Sequence, residues 1–481
     1  MKLPFILALF SPLVSAQEIK LLPSDGASTN YFGQSVAISG NTAIVGAFGD
    51  DDNGGSSGSA YLFDIATGAE LTKLLPNDGA SSDQFGRSAA ISGNTAIVGA
   101  PQNDDNGIES GSAYLFDITS GTQLAKLLPS DGALGDLFGC SVAIDGNTAI
   151  VGAYTDDDNG LNSGSAYLFD IASGAQIAKL LPSDGESDDW FGLSVAINGN
   201  TAIVGARLDD DNGLHSGSAY LFDIASGAQI AKLLPSDGAM DDQFGSSVAI
   251  SGNTAIVGAH GDDDNGSDSG SAYLFDATTG AQIIKLLPNN GGTLDGFGYS
   301  VAISGNTAIV GSPYDGDNGS ESGSADLFDI ATGAQLAKLL PSDGASDDNF
   351  GQSVAISGST ALAGATGDDE NGFSSGSAYL FELCTGHVAN YCVASANSVS
   401  ATGAPISLDG LPSVSSNNMT LLADSLPSDQ VCLFFCGPLK QDPSAPFGNG
   451  YRCVGVSGLS RLNPPVSTGS GSAQRALDLT S

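Results

Sequence analysis

The pair Phe-Gly returns at Phe32, Phe85, Phe138, Phe191, Phe244, Phe297 and Phe350, each 53 residues after the last, with no insertion or deletion. Seven copies at one spacing leave few folds open, because every unit must offer its neighbour the same surface: the pattern marks a solenoid, a propeller or an array. Within a unit, "SVAISGNTAIVGA" (35–47) reads as two β-strands around a tight Gly40-Asn41 hairpin. An acidic loop follows, then "GSAYLFD" (58–64) as a third strand rich in residues that suit a pleated surface. A short turn leads into "AELTKLLP" (69–76), a fourth strand stopped by Pro76. Four antiparallel strands in about 50 residues form a propeller blade.

The arrangement of the units argues for a closed ring. "KLLP" first stands at Lys20, ahead of the first Phe-Gly, and none follows the seventh third strand, "SAYLFE" (377–382). The N-terminal strand is therefore expected to complete the last blade and remove its exposed edge. The fold class is all-β: a seven-bladed β-propeller over 17–387, with an open solenoid as the alternative. Hydrophobic residues make up 41% of the chain, enough for a core despite 66 glycines.

The ends read differently. "MKLPFILALFSPLVSA" has Lys2, an apolar run and small residues at Ser15 and Ala16, the form of a signal peptide over 1–16. The mature protein is accordingly expected to be secreted or associated with the cell surface, and no later stretch is long and apolar enough for a membrane helix. Export makes disulfides possible for five late cysteines. Cys384 with Cys392, and Cys453 with Cys432 or Cys436, are the local pairings considered; Cys140 stands alone in the repeats. From 388 the period stops and charge almost disappears. Residues 388–481 read as a small β-sandwich-like module, expected to be truncated, with surface attachment or sorting as candidate roles.

"FGQSVAISGNTAIVGA" resembles the Phe-Gly…Gly-Ala-Pro (FG-GAP) repeat of the integrin α-subunit propeller and its secreted bacterial relatives, and "FGRSAAISGNTAIVGAP" in repeat 2 carries the full signature. The resemblance spans about residues 17–387 and implies a propeller used for extracellular adhesion. Integrin-type calcium loops place Asp-x-Asp-x-Asp-Gly between the first two strands. Here that hairpin is Ser-Gly-Asn, so the family's metal site does not carry over.

Charge is concentrated elsewhere. The chain holds 54 acidic and 14 basic residues, a net charge of −40, which opposes binding to nucleic acid and anionic membranes and attracts cations. More than half of the acids fall at five positions of the repeat: seven and two residues before each Phe, and a triplet eighteen to twenty after it. In an up-and-down blade both loops emerge on one face, which should carry a ring of carboxylates. Their mutual repulsion, about 1 kcal/mol per close pair even in water, makes Ca²⁺ the expected cofactor, since it accepts irregular sets of oxygen ligands. The candidate ligands are Asp50, Asp51, Asp52 and Asn53; Asp104 and Asp105; Asp156, Asp157 and Asp158; Asp209, Asp210 and Asp211; Asp262, Asp263 and Asp264; Asp315 and Asp317; and Asp368, Asp369 and Glu370. Ordinary Asp-Asn-Gly turn chemistry on a solvated acidic face is the alternative.

A seven-fold pattern cannot itself build an asymmetric site, so its departures matter most. Sixteen residues after each Phe stand Phe48, Pro101, Tyr154, Arg207, His260, Pro313 and Thr366, and Trp190, the only tryptophan, precedes its Phe. Tyr154, Trp190, Arg207, His215 and His260 belong to neighbouring blades and form the candidate ligand patch, aromatic and arginine side chains being frequent interface anchors; neutral drift at exposed positions is the competing explanation. No nucleophile elbow, Cys-x-x-Cys or phosphate-binding loop is present. The expected function is non-enzymatic recognition or adhesion, through an acidic, calcium-binding face that presents a surface for an extracellular protein or glycan. A structural cell-surface coat protein and an exported carbohydrate-active enzyme are the alternatives.

Overall fold

The structure, a computed structural model, describes residues 18–383 continuously and, beyond them, short paired strands between Asn390 and Ala476. The segment 1–16 read as a signal peptide and the late cysteines whose pairings were considered lie outside the residues whose side chains are described.

Residues Gln17–Leu383 form one compact unit. It contains seven four-stranded antiparallel sheets, each made of consecutive strands except the last. Blade 1 runs Ser35–Ser39, Thr42–Ala47, Ser59–Asp64 and Glu70–Leu74, and blades 2 to 6 repeat it. Blade 7 takes Phe350–Ser357, Thr360–Ala365 and Ser377–Glu382 from the end of the repeats, and its outer strand, Glu18–Leu21, from the beginning. Glu18 lies opposite Phe381 and Leu21 opposite Ala378, so first and last units share one sheet. The first strands of successive blades lie against one another all the way round, blade 7 against blade 1 included. The seven-bladed propeller expected from the period is the fold observed.

The motif residues hold the seams between blades. Each Phe of Phe-Gly is fully buried; Phe85 packs edge-on against Tyr114 and Phe116 of its own blade, at 5.6 and 5.7 Å between ring centres. The apolar clusters lie between sheets: Ile150 and Leu168 of blade 3, for example, pack with Phe191, Val204 and Tyr220 of blade 4. Burial of one such aromatic ring contributes about 1.5–3 kcal/mol. The two motif glycines meet across a seam, and a Cβ added to Gly99 would stand 2.0 Å from the carbonyl oxygen of Gly139. Only a bare backbone allows so close an approach.

The C-terminal unit, taken by itself, holds a four-stranded antiparallel sheet of Asn390–Val393, Pro405–Asp409, Thr420–Ala423 and Ala473–Ala476, together with three two-stranded pairs.

Candidate functional site

The acidic loops connect the second and third strands. In blade 1 the loop winds on itself: Asp50 Oδ1 accepts the Asp52 N–H at 3.1 Å and the Ser59 hydroxyl at 2.9 Å. Asp51 Oδ1 accepts the Ser56 N–H at 2.7 Å, and the Asn53 N–H donates to Ser57 Oγ. Asp50 is thereby buried at 3% exposure. A buried carboxylate needs a charge partner and filled lone pairs, and it has both.

The partner is a lysine of the KLLP strand. Lys73 Nζ lies 2.7 Å from Asp25 Oδ2, 3.2 Å from Asp50 Oδ2 and 2.7 Å from Asp52 Oδ2, while Tyr61 Oη is within 2.9 Å of Asp25 Oδ1 and 3.1 Å of Asp50 Oδ2. Burial alone would lower the pKa of Lys73, but its bonds to Asp25 and Asp52 outweigh that and hold it above the ordinary lysine value. Burial likewise opposes ionisation of Asp25, and the Lys73 ammonium overcomes it. The cluster recurs around Lys20, Lys126, Lys179, Lys232, Lys285 and Lys338. Blade 6 permutes it. Asn290 stands where the other blades have the outer aspartate, and Asp326 replaces the tyrosine. Burial pushes the Asp326 carboxyl up to about 7, beside a Lys338 side chain only 3% exposed.

A second carboxylate series sits at the loops between blades. Asp83 accepts the Ala80 N–H at 2.9 Å and the Asn103 side-chain amide at 3.1 Å. In blade 1 the roles are exchanged, Asn30 donating to Asp50 at 3.1 Å. Elsewhere both positions are aspartates. Burial, with the neighbouring carboxylate and against one backbone N–H, pushes Asp136, Asp189, Asp242 and Asp348 up to about 6.

The candidate calcium ligands are therefore already engaged within the chain. The first and third carboxylates of the triplet converge on an ammonium in every blade but the second, where the Asn103 amide oxygen takes the first place at 3.3 Å, and the second caps the loop backbone in most blades. Ca²⁺ takes 6–8 oxygens at about 2.3–2.6 Å, and Lys73 Nζ stands where the oxygens of blade 1 meet. Among the described residues no group of three or more His, Cys, Asp or Glu side chains is set to hold a metal ion.

The departures from the repeat gather at the mouth of the ring. Tyr154 and Trp190 have ring centres 5.2 Å apart, and the Arg207 guanidinium lies 5.1 Å over the Trp190 ring. His260 meets Tyr299 edge-on at 5.5 Å, and Tyr299 meets Tyr314 at 5.9 Å. Gln352 Nε2 donates to Tyr299 Oη at 3.1 Å. Opposite, Tyr31 stacks on Phe48 at 5.0 Å and Arg87 lies 5.0 Å over Phe48. Arg207 is within electrostatic reach of Tyr154, Tyr299 and His260. Burial, then the Arg207 charge, pushes His260 down to about 4, so its ring is neutral. Burial pushes the Cys140 thiol up to about 12, which leaves it a poor nucleophile.

Tyr154, Trp190, Arg207 and His260 thus fall into one neighbourhood. His215 does not: it sits exposed on its loop, Nδ1 3.1 Å from Asp241 Oδ1. Two groups of functional residues escape a reading of the sequence. One is the lysine series, whose signal was seven of nine lysines recurring once per repeat. The other is the position two after each Phe, which supplies Arg87 and Tyr299 to the mouth.

Comparison with known proteins identifies the repeats. The FG-GAP repeat family model matches residues 16–63, 69–116, 122–169, 175–222, 228–275, 281–328 and 334–381. No curated protein matches the chain by sequence. Among solved structures, the crystal structure of the computationally designed Ika8 protein is similar over 76% of this chain and 99% of its own, at 15% identity and a TM-score of 0.44. Among the described residues, no helix is long and apolar enough to cross a membrane.

Proposed function

The chain belongs to the FG-GAP repeat family, and from that premise we propose that it is an extracellular recognition or adhesion protein whose loop face binds a protein or glycan without transforming it. One observation carries this reading: the non-repeating side chains converge on one mouth, where Arg207, Trp190, Tyr154, His260 and Tyr299 form a continuous aromatic and polar surface. Nothing in the blade demands these residues, since Pro101 and Thr366 occupy the Arg207 position in other blades of the same fold. Binding is favoured over catalysis by the chemistry of the groups present. Neither Arg207 nor the neutral His260 pairs with a carboxylate that could pass a proton, and the Cys140 thiol is held protonated.

For the acidic loops the proposal is an internal counterion: the KLLP lysine does in each blade what Ca²⁺ was expected to do. Millimolar Ca²⁺ and Na⁺ at equal ionic strength should then raise the melting temperature alike, because both act by screening. A larger shift with Ca²⁺ would reinstate a metal site.

The recognition reading is tested by probing glycan and extracellular-protein arrays with the full chain and with Trp190→Ala. Retention of one ligand class by the native chain, lost in the variant, is the expected result. Self-association with no array signal would favour a coat protein, and turnover of a retained polysaccharide would favour an enzyme.

A further inference from the structure

Arg207, like Arg87, forms no ion pair, but it is the more buried of the two. Among the described residues every ion pair is made by a repeat lysine or by His215, so in a chain with 54 acidic residues this guanidinium has no carboxylate. Its Nε is buried without a hydrogen-bond partner, and so is His260 Nδ1 next to it. Arg207 is only half-buried, and of its guanidinium nitrogens Nε alone is enclosed without a partner, so the end of the side chain is left to pair with a group from outside the chain; the position is not structural, as Pro101 and Thr366 show. The surroundings add shape. Trp190, Tyr154 and Tyr299 present flat rings beside the charge. His260 also lines a cleft of about 600 Å³ between blades 5 and 6, with Tyr314, Asp268 and Glu321 in its wall.

We propose that the mouth binds a terminal acidic sugar, whose carboxylate pairs with the Arg207 guanidinium, whose ring lies on the aromatic faces of Trp190 and Tyr154, and whose attached neutral sugar enters the cleft beside His260 and Tyr314. This rests on the recognition reading and assigns its ligand class. A carboxylate satisfies the guanidinium through charge-assisted hydrogen bonds. The carboxylates of the cleft can accept hydrogen bonds from sugar hydroxyls and would repel a second acidic group, so the ligand carries one charge at its end rather than a run of them. An acidic peptide fits less well, because it brings no hydroxyls to Asp268 and Glu321 and no ring of matching flatness to Trp190.

Trp190, the only tryptophan, reports on the site by its fluorescence. The full chain is titrated with methyl β-glucuronoside, with methyl β-glucoside and with N-acetylglutamate. The expected result is a saturable change with the glucuronoside and at least about 10-fold weaker binding of the neutral glucoside, the discrimination a charge-assisted pair supplies. Arg207→Gln should abolish that difference while leaving the far-UV circular dichroism and the melting temperature close to native. Tyr314→Ala should weaken a disaccharide ending in glucuronate and leave the monosaccharide unaffected. Equal binding of glucoside and glucuronoside, unchanged by Arg207→Gln, would overturn the carboxylate assignment while leaving recognition intact. Tighter binding of N-acetylglutamate would overturn the sugar in favour of an acidic peptide. No response to any of the three overturns the proposal, and whether the array experiment then finds a ligand elsewhere decides the recognition reading separately.

Discussion

Lys20 Nζ lies 2.8 Å from Asp343 Oδ2 and 2.8 Å from Asp368 Oδ2, joining residues more than 300 positions apart. The same lysine that neutralises blade 7 also fastens the first strand to the last. A chain beginning at residue 23 should therefore lose at least about 3 kcal/mol, because buried Asp368 is left without its ammonium, and its Ser377–Glu382 edge becomes available for aggregation. A chain beginning at residue 17 should unfold as the full one does. Chemical denaturation with size-exclusion chromatography compares them; equal stability would mean that the strand is dispensable.

Lys232 sits among Asp184, Asp209 and Asp211, at 2.9, 2.9 and 2.6 Å. Lys232→Met should destabilise the propeller by about 3 kcal/mol, the cost of leaving a buried carboxylate unpaired. Adding Asp209→Asn should restore part of that loss, since the removed charge no longer needs a partner. Urea midpoints of the single and double variants measure it, and additive effects would show that the two side chains do not interact.

Two glycines of blade 2 separate steric from conformational demand. Gly93, in the hairpin, has φ of +56° and open space around its Cβ position, so Gly93→Ala should cost about 1–2 kcal/mol. Gly99 faces the Gly139 carbonyl oxygen across the seam, and Gly99→Ala must push two blades apart, at about 3 kcal/mol or more. Thermal unfolding ranks the two, and a reversed order would contradict the seam geometry.

The aspartates between blades predict an unusual pH response. Asp242 is buried near Asp262 and Asp263 on one side and Lys285 on the other, and burial pushes it up to about 6. A carboxyl raised above its unfolded value contributes stability that is complete below the unfolded value near 4 and lost as pH rises through about 6. The lysine-bound aspartates, Asp25 among them, are shifted downward and weaken the fold only at more acid pH. Melting temperature should accordingly be higher at pH 5 than at pH 7.5. Asp242→Asn should remove only a fraction of that difference, since Asp136, Asp189, Asp348 and Asp326 are shifted in the same direction. A flat profile between pH 5 and 7.5 would show these carboxyls to be ionised throughout.

Blade number, strand order and ring closure were legible in the spacing of Phe-Gly and in the position of the first KLLP, because both follow from one period and one displaced strand. The lysine clusters were not. Lys73 lies 21 residues beyond Asp52 and 48 beyond Asp25, and the three meet only because Lys73 pairs opposite Tyr61 across two strands, a register that composition does not reveal. The aromatic and arginine patch was half legible. Position sixteen after each Phe varied conspicuously, whereas Arg87 and Tyr299 stand just ahead of the first strands Ser88–Ser92 and Ser300–Ser304, which read as uniform.

The pairing of Glu18 with Phe381 also bears on where such a chain could be cut and rejoined. Both boundaries of the propeller lie on adjacent strands of one sheet, while six further seams carry the same link from outer strand to next blade. A circular permutant that joins the old ends by a short flexible linker and opens at Ser183, between blades 3 and 4, would keep every strand pair. Blade 7 would become a continuous hairpin series, and the burden of closure would pass to a different sector of the ring.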